Sequence, residues 1–222
     1  MLNAKKKGDL LSKGKKQFAG RISISLVLIF ILTGTISSSI AGDIEAGKQK
    51  SIVCSACHGQ DGNSLNPLWP SLAGQHKQYT SNTLKAYLNG TRVNLVMQTQ
   101  LMRLTEQDFD DIASYYNAQI MQKKDYDYEL AKKGESLYRG GNSATGVAAC
   151  IACHGPTGRG NPGAGYPSIA GQHAQYTEDA LKQYKNSERK AVLNDMMQSL
   201  AARLTAEEIE AVSEYIQALG SK

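Results

Sequence analysis

The clearest periodic patterns in the chain are two amphipathic stretches about 100 positions apart. After Thr105, the apolar residues Phe109, Ile112, Ala113, Tyr116 and Ile120 fall on one helical face. After Thr205, Ile209, Val212, Ile216 and Leu219 do the same. Each stretch opens with a threonine ahead of acidic residues, and Thr205-Ala206-Glu207-Glu208 matches a capping box. Earlier helices are predicted over 43–54 and 128–139, and middle helices over 79–88 and 176–186. No alternating run supports a substantial sheet, so the pattern predicts an all-α chain. Gly47 and Gly134 stand inside the first helices, where glycine is locally costly. A close crossing against the last helix would explain both.

The order of these elements repeats. Pro70-Ser71-Leu72-Ala73-Gly74-Gln75-His76 matches Pro167-Ser168-Ile169-Ala170-Gly171-Gln172-His173, 97 positions on. Met97-Gln98, Arg103-Leu104-Thr105 and Tyr115 match Met197-Gln198, Arg203-Leu204-Thr205 and Tyr215, 100 positions on. The chain therefore reads as a tandem duplication. A polar run over 121–128 reads as a linker, which gives domains at 42–124 and 125–222. A lobe of that size buries only a modest core by itself.

Residues 1–41 read as a secretory signal. Lysines at 5–16 precede an apolar core densest from Leu26 to Leu32, and Ser39-Ile40-Ala41 offers small residues for cleavage after Ala41. An uncleaved anchor is the alternative, with 22–40 barely long enough to span a bilayer. Either way the rest of the chain leaves the cytoplasm. Removing this segment also changes the charge. Of the 25 Lys and Arg, seven lie before residue 42, against one of the 20 Asp and Glu, so the remainder carries a net charge of −1. The formal +5 of the whole chain thus gives no electrostatic support for nucleic-acid binding.

The chemistry lies in Cys54-Ser55-Ala56-Cys57-His58 and Cys150-Ile151-Ala152-Cys153-His154, which together use all four cysteines. C-x-x-C-H is the attachment signature of c-type haem. Two thiols add across the two porphyrin vinyl groups, and the adjacent imidazole ligates the iron. A single match could be a redox dithiol beside a chance histidine. Two matches that leave no spare cysteine favour two covalently attached haem c groups held by Cys54, Cys57, Cys150 and Cys153. Enclosed haems would supply much of the apolar interior that the lobes lack.

His58 and His154 are then the proximal iron ligands. For the sixth ligand, only Met97 and Met197 recur among the methionines. Met102 aligns with Ala202, Met196 aligns with Val96, and Met121 has no counterpart. Met97 and Met197 each precede the Thr cap by eight residues, a position read as a loop folding over the far face of the haem. His76 and His173 recur too and compete; they are read as surface or hydrogen-bonding residues. His/Met ligation is a recognised cytochrome arrangement. Pro70 and Pro167 follow the proximal histidines by 12 and 13 residues. Their carbonyls could accept the second ring N–H, or they are simple loop prolines. Trp69, Tyr79, Tyr166 and Tyr176 either line haem edges or pack.

Taken together, the two C-x-x-C-H lobes, the repeated P-x-[LI]-A-G-Q-H, and M-Q before [AM]-R-L-T with a final Tyr-bearing helix resemble the dihaem cytochrome c4 family. The resemblance covers the chain from about residue 41 to its end. It implies two tandem class I cytochrome c domains related by pseudo-twofold symmetry, with propionate edges near the interface. It also implies His58/Met97 and His154/Met197 irons. The implied role is periplasmic electron transfer between redox partners, such as a quinol-oxidising complex and a terminal oxidase, with peripheral membrane association. The stretch before the second motif is longer, with sixteen residues from Gly134 to Cys150 against seven from Gly47 to Cys54. The competing readings are a dihaem enzyme of the peroxidase or sulfur-compound dehydrogenase type, and an electron-relay subunit of a membrane complex. An enzyme would need one open iron and nearby acid–base groups, whereas both lobes offer the same methionine.

Overall fold

The computed structural model describes residues 42–191 and 194–220. The expected signal segment and its cleavage after Ala41 lie outside the described residues. The helices are α1 (Ile44–Lys50), α2 (Ile52–His58), α3 (Lys77–Leu88), α4 (Leu95–Leu101), α5 (Glu106–Asn117), α6 (Tyr128–Gly140), α7 (Ile151–His154), α8 (Ala174–Lys185), α9 (Met196–Ala201) and α10 (Ala206–Leu219). Among the described residues the only β pairings are isolated bridges, Asn142 with Val147 and Asn161 with Tyr166. Both lobes belong to one compact unit.

Each lobe is built on a crossing of its first helix and its last. α1 packs on α5, and α6 packs on α10. A Cβ at Gly47 would collide with the Asp111 carbonyl, and one at Gly134 with the Ala211 carbonyl. The crossing therefore brings backbone against backbone, which only glycine permits. The partner faces are those the periodicity marked. Phe109, Ile112, Ala113 and Tyr116 are buried, as are Ile209, Val212, Ile216 and Leu219. Ile120 departs from the expectation: α5 ends at Asn117, and Ile120 is 84% exposed in the connection beyond it.

Local chemistry sets the ends of the last helices. The Thr205 side chain accepts the Glu208 N–H at 3.1 Å, and the Glu208 carboxylate accepts the Thr205 N–H at 2.9 Å. Asp108 completes the same reciprocal box with Thr105, a pairing that the shorter acid made less visible in the sequence. Such caps contribute roughly 1 kcal/mol each. The expected first helix is broken at Ser51, so α1 and α2 are separate. The extra residues before the second motif include the Asn142–Val147 bridge, and α7 keeps only its last turn.

The lobes join through a reciprocal contact. The Gln75 side chain donates to the Ser168 carbonyl at 2.8 Å and accepts the Ser168 N–H at 3.0 Å. The Gln172 side chain makes the same pair with Ser71, both bonds at 2.9 Å. His76 Nε2 donates to the Arg159 carbonyl at 2.7 Å, and His173 Nε2 donates to the Ser64 carbonyl at 2.8 Å. The glutamines and serines equivalent in the repeat thus exchange partners, which is the signature of a pseudo-twofold axis, while the two histidines meet non-equivalent carbonyls. His76 is half-buried and His173 buried, and both serve as hydrogen-bonding residues.

Two outcomes follow. Gly134→Ala should lower stability by about 1–3 kcal/mol or more through overpacking, with a lower melting temperature as the readout. The second concerns Lys50, whose ammonium lies 2.6 Å from Asp108 and 2.5 Å from Asp111. Lys50, with the Thr105 N–H, holds the Asp108 carboxyl down to about 2. Its stabilisation is therefore complete above the ordinary value of 3.8 and is lost as pH falls towards about 2. Lys50→Met should cost about 1–3 kcal/mol at neutral pH and flatten urea midpoints measured between pH 5 and 2.

Candidate functional site

One continuous cavity of about 870 Å³ extends through both lobes. Its walls are mostly apolar and include Leu72, Leu84, Leu101 and Ile112 in the first lobe and Ile169, Leu181, Val212 and Ile216 in the second. All four motif cysteines, both motif histidines, Met97 and Met197 line it. Trp69, Tyr79, Tyr166 and Tyr176 line it as well.

The histidines are prepared as metal ligands by their hydrogen bonds. His58 Nδ1 lies 2.8 Å from the Pro70 carbonyl, and His154 Nδ1 lies 3.0 Å from the Pro167 carbonyl. A carbonyl only accepts, so Nδ1 carries the proton in each ring. Nε2 is left with a free lone pair, and the ring orientation is fixed. Burial is the main influence on both imidazoles and lowers their basicity, favouring the neutral, ligating form despite the opposing carbonyl bond. Both prolines therefore meet the expectation for a carbonyl acceptor.

The thiols are unpaired and half-buried. Burial pushes Cys54 up and Cys150 up to about 11. A dithiol redox pair needs a depressed thiolate pKa. These environments supply the opposite, so the redox-dithiol reading has no support.

Met97 lies on α4 and Met197 on α9, not in loops as the sequence suggested. The Asn94 side chain caps α4 by accepting the Met97 N–H at 3.0 Å. A short helix gives each thioether a more fixed approach to the cavity than a loop would. The segments between the middle helix and these short helices also carry Arg92 and Arg189, which the sequence analysis missed. They occupy equivalent places in the 97-residue repeat, and that recurrence was the available signal.

Both arginines line the cavity. Arg189 is 7% exposed, and its Nε is buried without a hydrogen-bond partner. Among the described residues neither guanidinium forms an ion pair. Two guanidiniums that meet only tyrosines at this cavity can take up anionic groups from a bound ligand. Two haem groups fit that role: their carboxylates match the guanidiniums, their apolar rings match the walls, and their vinyl groups match the paired thiols.

Comparisons with known proteins agree. The family model described as "Cytochrome c" matches residues 44–118 and again 131–220. A protein named cytochrome c4 from Thiocapsa roseopersicina is 47% identical over 180 residues, covering 80% of this chain and 93% of the relative. This chain belongs to the dihaem cytochrome c4 family. The crystal structure of reduced recombinant cytochrome c4 from Pseudomonas stutzeri superposes with a TM-score of 0.77 at 42% identity, covering 80% of this chain and 98% of that one. A more distant relative from Stutzerimonas stutzeri (strain A1501), named thiosulfate dehydrogenase electron acceptor, is 33% identical over 177 residues, covering 77% of this chain and 81% of the relative. As a cytochrome c4 the chain carries two covalently attached haem c groups, one per lobe, and transfers electrons.

Proposed function

We propose that this dihaem cytochrome is a periplasmic electron carrier, receiving electrons from a quinol-oxidising complex and delivering them to a terminal oxidase. In this reading residues 1–41 are removed on export and the two haem domains are 42–124 and 125–222. His58 and Met97 ligate the first iron, and His154 and Met197 ligate the second. The observation that carries this reading is one free imidazole nitrogen and one recurring thioether on the walls of the same cavity in each lobe.

When bound, haem c supplies an iron that alternates between ferric and ferrous states. The chain's contribution is to keep that change small. The Pro70 and Pro167 carbonyls hold the imidazoles in one tautomer and orientation. Met97 and Met197, on short helices, would hold the iron through their thioethers, and thioether ligation raises the potential. The apolar walls exclude water. An iron held by a histidine and a methionine in each lobe would leave no open place for a substrate, as a carrier requires. Among the described residues no helix is long and apolar enough to cross a membrane, which is compatible with peripheral association.

The relative named as an electron acceptor of thiosulfate dehydrogenase favours a second donor, a sulfur-compound dehydrogenase, for the same carrier chemistry. Reduction of the purified protein by each donor type, followed in the visible spectrum, separates the two.

Met97→Ala should leave the first haem high-spin and open to carbon monoxide while the second stays six-coordinate and closed. Optical and resonance Raman spectra of the variant check this. An unchanged first haem would refute the Met97 assignment.

A further inference from the structure

Arg92 and Arg189 begin as symmetry mates. The Arg92 guanidinium lies 4.5 Å from the centre of the Tyr87 ring, and the Arg189 guanidinium lies 4.8 Å from that of Tyr184. Tyr87 and Tyr184 are 97 positions apart, as are the arginines. The symmetry ends at the next contact. Arg189 Nη1 donates to the Tyr176 hydroxyl at 3.3 Å, within its own lobe. Arg92 Nη2 donates to the same hydroxyl at 3.1 Å, across the lobe boundary. Tyr79, the counterpart of Tyr176, receives no hydrogen bond from either arginine. Both cations therefore converge on a tyrosine of the second lobe.

We propose that Arg92, although carried by the first lobe, is a positioning residue for the haem of the second. Its bond to Tyr176 joins the guanidinium, which also lies over Tyr87 of its own lobe, to a second-lobe side chain that Arg189 meets too. There it sets the local positive potential and ties the two lobes electrically. Positive charge near a haem favours the electron-rich ferrous state, so losing it lowers the potential. Buried, incompletely hydrated guanidiniums exert this effect more strongly than exposed ones. The contact is asymmetric, because no equivalent bond carries Arg189 to Tyr79. The inference rests on the two bound haems and not on Met ligation or on the identity of the partners.

The test is a redox titration of the holoprotein, with the two haems separated by their methyl proton resonances. Arg92→Gln should lower the potential of the second-lobe haem, while both haems remain low-spin. Arg92→Lys, which keeps the charge, should retain more of that potential. Tyr176→Phe should also lower it, and the double variant should fall short of the sum of the single shifts, because both changes break one bonded unit. A second-lobe potential unchanged in Arg92→Gln, or additive shifts in the double variant, would overturn the proposal. Failure of Met97 ligation appears instead as a spin-state change in the first haem, so the two claims fail separately.

Discussion

Each lobe is a set of walls around an apolar cavity, and this constraint orders the rest of the structure. Two small helical lobes cannot bury enough of their own surface to close a core. They close instead on a shared space of about 870 Å³ that a covalently held group completes. The glycine crossings of α1 on α5 and α6 on α10 fix one side of each lobe. From there the chain passes into the cysteine motif, and the proline carbonyl that follows locks the histidine. Rigidity at the crossing becomes orientation at the imidazole.

Joining the lobes adds a second level of control. The Gln75 and Gln172 pairs are symmetric, the two histidines add bonds to non-equivalent carbonyls, and together they join the halves. The arginine–tyrosine cluster is asymmetric. Duplication would give two equal haem environments. The bond from Arg92 to Tyr176 has no counterpart from Arg189 to Tyr79, so the two lobes differ at this cluster.

Much of this was legible in the sequence because the relevant signals are local or repeated. The cysteine motifs, the last helices with their caps and the crossing glycines follow from spacing and residue type, whereas spacing left Pro70 and Pro167 open between carbonyl acceptors and simple loop prolines. Three features were not legible. Met97 and Met197 were placed in loops because a short apolar run without a clear period does not declare a helix; α4 forms through the Asn94 cap. Ile120 fitted the helical face by period, yet α5 stops at Asn117 before reaching it. The roles of His76, His173 and Arg92 lie across the lobe boundary, and no single-lobe pattern encodes which carbonyl or hydroxyl they meet.

The most direct test of the central claim, two closed His/Met irons in one electron carrier, is an optical spectrum of the native protein, oxidised and reduced, with and without carbon monoxide. The account predicts a weak thioether-to-iron band at the red end of the ferric spectrum and no carbon monoxide binding on reduction. Carbon monoxide binding to either haem of freshly prepared protein would contradict it and point to an iron open for catalysis.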